Sequence, residues 1–253
     1  MMGQPILGDI DNITQITRDM VVDYHARNYF GENMVIVGTG KVDHQQLVDL
    51  CEQHFSSLPR KAPLPILGLE KAVYNPGMLM IRDDEMVNSS IGVFYDAPDW
   101  YHKDFYAFML LQRIFGNFQI DKHASHINDV KKQYNSMHAL LGDLVDVTMA
   151  ESHYFAYSDT GLFGNYFFGN EVFTRQMNYC GVCLPTVYGH YVNDVEVVRG
   201  RNHLWNQLMA QESGAAINAE VGRQLLTQGR RVHRSEVAAR VSHMDNNHLK
   251  HLA

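Results

Sequence analysis

The sequence predicts an α+β protein in which a sheet is covered by helices. Three observations carry this. First, His153–Asn170, HYFAYSDTGLFGNYFFGN, holds two apolar runs around Ser158-Asp159-Thr160-Gly161 and reads as a central hairpin. Second, strand-like sequence lies before it, and almost everything after it has helical spacing. Third, the helix carrying Phe105, Phe108, Met109 and Ile114 is apolar nearly all round, as expected of a helix buried between layers.

In the hairpin, Asp159 suits the start of a tight turn, and Gly161 is expected to take the positive φ that such a turn needs. Alternation places Tyr154 and Ala156 on one face, Phe155 and Tyr157 on the other. Leu162, Gly164, Tyr166 and Phe168 share a face, opposite Phe163 and Phe167. Aromatics on both faces imply that neither is freely solvated.

From the N-terminus, Thr17 is a good N-cap for a helix over Arg18–Asn28, with Met20, Tyr24 and the later Phe30 facing inward. Asn33–Thr39, NMVIVGT, is expected to be a short buried strand. Asp43 caps the next helix, where Leu47, Leu50, Cys51 and Phe55 form one apolar stripe. Residues 1–59 thus make a small helix–strand–helix piece. Its single strand needs partners from elsewhere, because one strand cannot make a sheet. Residues 60–76, with Pro63, Pro65 and Pro76, read as an extended linker. Residues 77–253 form the larger unit.

Within that unit, Met78–Ile81 and Ser89–Tyr95 are expected strands, and Asp99 is the expected cap of the Phe105 helix. Gly116-Asn117 breaks that helix, Gln119–Ser136 is a polar stretch with surface-helix character, and Met137–Val147 is an expected strand. Glu171–Tyr191 reads as a helix kinked at Pro185. Asn193 and Glu196 form a capping box for a helix with Val197, Leu204, Trp205 and Leu208 toward the core. Ser213 caps Gly214–Gln228, which Gly229 ends, and Ser235 starts Glu236–Met244.

Composition limits the function classes. The chain has 253 residues, 45% hydrophobic and 19% charged, with a formal charge of −7. That balance argues against a general nucleic-acid binder and suits a basic partner. No apolar run reaches the ~18 residues of a membrane span. Three cysteines, Cys51, Cys180 and Cys183, make no disulfide framework. Cys180-x-x-Cys183 lacks the strand-then-helix-start setting of a redox site and reads as two helix cysteines.

No P-loop, G-x-G-x-x-G or G-x-S-x-G is present, nor H-E-x-x-H or its inverse. The nearest approach is His233-Arg234-Ser235-Glu236-Val237, where Val237 stands in place of the second zinc histidine. His123 with His126, and His248 with His251, are spaced to share helix faces, but two histidines do not specify a metal site.

Three segments carry a resemblance. ILGDIDNITQITRDMVVDYHARNYFGENMVIVGTGKVDHQQLVDLCEQHF covers Ile6–Phe55, and YSDTGLFGNYFF covers Tyr157–Phe168. EVVRGRNHLWNQLM at Glu196–Met209 joins GRQLLTQGRRV at Gly222–Val232. In this order and spacing they resemble the pitrilysin-type (M16) metallopeptidases. The branch is that of mitochondrial processing peptidase β-subunits and of the core subunits of ubiquinol–cytochrome c reductase.

The resemblance implies a mainly antiparallel sheet with helices on one face, preceded by the C-terminal remnant of a second like domain. It implies a mitochondrial location at the matrix or the matrix face of the inner membrane. An α-type subunit, other subunits of the respiratory complex, and basic presequence peptides are the implied partners. The family's zinc-binding H-x-x-E-H and downstream Glu lie upstream of the Ile6 segment, and nothing here aligns with them. No catalytic and no metal residue carries over, no cofactor is expected on this chain, and substrate-binding residues stay unassigned. Zn2+ is expected upstream in a catalytic member. FGNFQIDKHASH stands where an α-subunit has its glycine-rich loop, so the chain does not resemble an α-subunit. Asp83, Asp84 and Glu85 are candidates for an acidic cavity wall, or simply a solvated turn. The family activity is zinc-dependent removal of presequences, and the alternative role is a non-catalytic scaffold of the respiratory complex.

Overall fold

The computed structural model describes residues 5–61, 71–119, 135–141, 146–170, 176, 181–183, 186, 192–210 and 213–252. The chain divides into two compact units. One comprises Met1–Ala72 and Glu212–Arg231, the other Val73–Gln211 and Val232–Ala253. The boundary read from the sequence ran 1–59, 60–76 and 77–253. In the structure the stretch Glu212–Arg231 groups with the N-terminal residues.

The larger unit is built on a four-stranded antiparallel sheet. Its strands are β1 (Asn88–Ala97), β2 (Asn117–Gln119), β3 (Val147–Ala156) and β4 (Gly161–Asn170), in the order β1-β4-β3-β2. The central hairpin is as expected from its two apolar runs. Tyr157 N donates to Thr160 O at 2.8 Å and closes the turn. Gly161 does not take a positive φ. Its glycine requirement is close approach: a Cβ there would stand 2.3 Å from the Pro98 carbonyl oxygen. At Gly164 a Cβ would meet the Val93 carbonyl oxygen at 2.1 Å.

Helix α1 (Ile10–Gln15), α2 (Arg18–Asn28) and α3 (His44–Phe55) belong to the smaller unit. Helix α4 (Phe105–Phe115) lies against one face of the sheet. Phe108 and Phe115 each meet Phe163 edge-on at 5.5 Å, and Phe108 and Phe105 tilt against Tyr154. Such pairs add about 0.5–1.5 kcal/mol each beyond the area they bury. Asp104, not Asp99, occupies the N-cap; Asp99 Oδ1 instead accepts from Tyr101 N at 2.8 Å and shapes the preceding turn. Gly116, at φ 71°, ends the helix.

Two expectations fail near this helix. Met137–Val147 was expected to be one strand, but Ser136–Leu141 is helix α5 and the strand begins at Val147. Met137 and Leu141 are four apart, so one helix face buries both completely. Asn135 Oδ1 accepts from His138 N at 2.8 Å and caps the turn. Met78–Ile81 forms no strand, and its four side chains are 76–92% exposed. The Gln119–Ser136 stretch lies largely outside the described residues, and the kink expected at Pro185 lies wholly outside them.

The C-terminal helices are α6 (Asp194–Met209), α7 (Gly214–Gln228), α8 (Arg234–Ser242) and α9 (Asn246–Leu252). The capping box at Asn193 and Glu196 is formed in both directions. Val197, Gly200 and Leu204 are buried, and α6 crosses α4 where a Cβ on Gly200 would stand 2.6 Å from Ile114 Cγ1. Trp205 stays half exposed beside a cleft of about 150 Å³ between α6 and α8. Helix α8 starts at Arg234 with His233 as its cap, one residue pair earlier than read from Ser235.

The smaller unit has well-formed ends and little core. Thr17 Oγ1 accepts from Met20 N, Asp43 Oδ1 from Gln46 N, and Ser213 Oγ from Ala216 N. Gly229 closes α7 in the left-handed region. Yet α2 and α3 bury no residue, and Met20, Tyr24, Leu50 and Phe55 are exposed, not inward. Asn33–Thr39 is not a strand: Gly31–Asn33 is a 3-10 turn, and Met34–Thr39 runs on without a ladder partner. An isolated strand has nothing to donate its hydrogen bonds to, so it is not assigned as one. Phe30 is the buried apolar residue of this segment, where Gly31 N and Glu32 N donate to Pro59 O and Arg60 O.

Arg113 on α4 and His203 on α6 are both half-buried. Burial lowers the pKa of Arg113. Burial, and then the Arg113 charge, lower that of His203. The folded chain therefore resists protonation of His203. As pH falls through the unfolded histidine value of about 6.5, the unfolded chain takes up a proton that the folded chain declines, and stability drops. His203→Gln is expected to flatten the loss of Tm between about pH 7.5 and about pH 5.5; an unchanged pH profile would exclude this coupling.

Gly161→Ala is expected to cost about 1–3 kcal/mol in urea unfolding through the clash with the Pro98 carbonyl. Gly77→Ala, where a Cβ meets nothing within 4 Å, is expected to change stability by less than about 0.5 kcal/mol.

Candidate functional site: the open face of the sheet

The sheet has one covered and one open face, and β-strand alternation decides which side chain goes where. Ala150, Ser152, Phe163, Asn165 and Phe167 point to the helices and are buried. On the other face, four cross-strand rows are set by the register. They are Asp96–Leu162–Phe155, Phe94–Gly164–His153, Gly92–Tyr166–Glu151 and Ser90–Phe168–Met149. Phe94, Leu162, Tyr166 and Phe168 are half-buried, and Phe155 is 43% exposed. Aromatics on both faces therefore do not mean that both faces are covered.

The open face centres on Gly164. Phe94 and Phe155 approach across it with ring centroids 6.2 Å apart, and His153 stacks on Phe155 at 5.5 Å with planes 8° apart. His153 Nε2 lies 3.2 Å from Glu151 Oε2. The four strands contain two carboxylates, Asp96 and Glu151, and no lysine or arginine. Both carboxylates sit on the open face. Its chemistry is aromatic and acidic, suited to an apolar or cationic ligand.

The covered face behind it is less fully satisfied. Asn165 is fully buried and Ser152 nearly so, on paired residues of β4 and β3, and neither side chain has a hydrogen-bond partner among the described residues. Gln112 Nε2 donates to Ser152 O at 3.0 Å. Tyr154 OH donates to Pro98 O at 2.7 Å, and burial, then the Asp99 charge, raise its pKa.

The residues singled out in the sequence do not converge. Asp83, Asp84 and Glu85 form an exposed turn: Arg82 Nε bonds Asp84 Oδ1 at 2.7 Å, and Asp83 Oδ1 accepts from Glu85 N. Cys51 and Cys183 are free thiols, while Cys180, His123 and His126 lie outside the described residues. His248 Nε2 lies 3.5 Å from Asp104 Oδ1, whose other oxygen is 3.6 Å from His102 Nδ1. His251 is exposed on α9.

The residues do not fit a zinc ion at the near-motif. His233 Nδ1 is engaged with Ser235 at the cap of α8, Glu236 pairs with Arg240 at 2.8 Å, and Val237 is buried in the core. Among the described residues no three His, Cys, Asp or Glu side chains are grouped to hold a metal. No described helix is long and apolar enough to cross a membrane. The open face is what sequence reading missed. Its signal was present in the alternation of Phe94, Tyr166, Phe168 and Phe155, and in the absence of cations from the strands.

Comparison with known proteins agrees with this architecture. Residues 15–178 match the model of the peptidase M16 inactive domain. The β-subunit of the mitochondrial processing peptidase of Neurospora crassa is 31% identical over 93% of this chain and 50% of its own length. That of Lentinula edodes is 30% identical over 100% of this chain and 54% of its own length. Subunit 1 of the mouse cytochrome b-c1 complex is 27% identical over 98% of this chain and 51% of its own. The chain spans about half the length of these curated relatives. Among solved structures, a chain of Complex III2 from Candida albicans shares the fold at TM-score 0.84 and 17% identity. That match covers 99% of this chain and 58% of the other. The expected pitrilysin-like fold is thus the observed one, and the chain belongs to the peptidase M16 family.

Proposed function

We propose that this chain is the C-terminal portion of a mitochondrial processing peptidase β-like subunit. Its open sheet face would be one wall of the chamber that receives basic presequences for zinc-dependent cleavage. The observation that supports this most is that face: aromatic, bearing Asp96 and Glu151, and lacking any lysine or arginine in its strands. A net charge of −7 favours capture of a basic segment on the same grounds. In this reading the metal and the carboxylate that activates its water lie outside these 253 residues. An α-type subunit completes the chamber, in the mitochondrial matrix or on the matrix face of the inner membrane.

A second reading is a non-catalytic core subunit of ubiquinol–cytochrome c reductase. The likeness to mouse cytochrome b-c1 subunit 1 and to the Complex III2 chain favours it. Native electrophoresis of mitochondria separates the two: comigration with the respiratory complex supports the scaffold, comigration with a soluble heterodimer the peptidase.

The peptidase reading is tested by reconstitution. The chain alone is expected not to cleave a presequence peptide, with or without added zinc. Mixed with an α-type subunit and the N-terminal half of a β-type subunit bearing an intact H-x-x-E-H, it is expected to restore chelator-sensitive cleavage. Cleavage by the chain alone, or failure of the three parts to associate, would overturn the proposal.

A further inference from the structure

We infer that the cleft between α6 and α8 binds a small organic acid, with a single ring or short branched chain against Trp205 and the carboxylate on Arg201. The open sheet face takes no part, so this site stands or falls independently of the peptidase reading.

Helical spacing builds the cleft. On α6, Arg201, Leu204, Trp205 and Leu208 recur at steps of three and four residues and share one face. On α8, Val237 and Val241 do the same. Leu204, Val237 and Val241 are buried members of the core and form the floor. Trp205 is 39% exposed and Leu208 half-buried, so this wall can be reached from solvent. The space enclosed is about 150 Å³. An apolar cavity of that size takes one benzene-sized group. Drug-sized ligands need about 300 Å³ or more, so the occupant is small.

The lining is apolar except at one end, and its charge there is positive. Among the described residues Arg201 is the single charged residue of the lining, and no carboxylate lines the cleft. Arg201 Nη2 donates to Met244 O, which anchors the guanidinium, while its Nε is buried without a hydrogen-bond acceptor. The carboxylates of the two helices are placed elsewhere. Asp194 and Glu196 lie in the first turn of α6, where Glu196 closes the capping box. Glu236 on α8 pairs with Arg240 at 2.8 Å. A half-buried guanidinium with no carboxylate beside it favours an anion, because a charge-assisted hydrogen bond offsets the cost of its partial burial. The apolar walls require that this anion carry its own hydrophobic group. A carboxylate on one ring or one short chain meets both demands.

The test uses the 253-residue chain, 15N-labelled, and 3-phenylpropionate as the probe. Its control is 3-phenylpropanamide, of similar shape and uncharged. The chain has two tryptophans, Trp100 and Trp205, and Trp205→Phe assigns their indole resonances. The acid is expected to shift the Trp205 indole resonance and leave that of Trp100 in place, with a Kd of about 1 mM. The amide is expected to bind about tenfold more weakly. Arg201→Met, which keeps the apolar stem, is expected to make acid and amide equal, and Arg201→Lys to restore part of the preference. Ala238→Leu, which fills the cleft from α8, is expected to weaken both at least about tenfold. Near-UV circular dichroism confirms that each variant is folded, and the comparison of acid with amide needs no variant. No shift at Trp205, equal binding of acid and amide, or binding that Ala238→Leu leaves unchanged would overturn the inference. So would a preference for the acid that survives in Arg201→Met.

Discussion

The antiparallel pairing of β3 with β4 is the constraint on which the larger unit depends. It is closed by the Tyr157–Thr160 backbone bond and brought tight against β1 by glycines that allow carbonyl oxygens where a Cβ would stand. Because side chains alternate, this single register sends Phe163, Asn165 and Phe167 to one side and Leu162, Tyr166 and Phe168 to the other. A slip of one residue would exchange the core for the surface. The edge-on contacts of Phe108 and Phe115 with Phe163 then fix where α4 lies, and α6 follows by fitting Gly200 against Ile114.

That sidedness joins stability to function. The covered face takes the helices, and with them burial worth about 1.5–3 kcal/mol for a side chain such as Phe167 or Phe115. It tolerates the unpartnered polar groups of Asn165 and Ser152, each costing about 1–3 kcal/mol if left so. The opposite face keeps its aromatic surface and its two carboxylates available. An aromatic surface left half exposed in a folded sheet marks a place for a ligand or partner.

The smaller unit has well-formed helix ends and little buried core. Helices α2, α3 and α7 have the caps that their sequences specify, but α2 and α3 bury nothing, and Met34–Thr39 has no ladder partner. Capping contributes about 1 kcal/mol per helix and does not supply a core. Apolar side chains of the unit, among them Val35, Ile36, Leu50 and Phe55, stay exposed.

Much of this was legible in the amino-acid order. Thr17, Asp43, Asn193, Ser213 and Gly229 mark helix ends through bonds that reach three or four residues, so neighbours in sequence decide them. The hairpin was legible too, because alternation and turn chemistry are local. Tertiary structure alone decided which hairpin face the helices cover, and hence that Phe94 and Phe155 meet in the open. It decided that Met34–Thr39 and Met78–Ile81, strand-like by composition, are not strands, and that Ser136–Leu141 is helix. It also decided that Gly161 is needed for a carbonyl contact and not for its φ. Strand identity and face coverage rest on partners far away in sequence, whereas a cap rests on a partner one turn away.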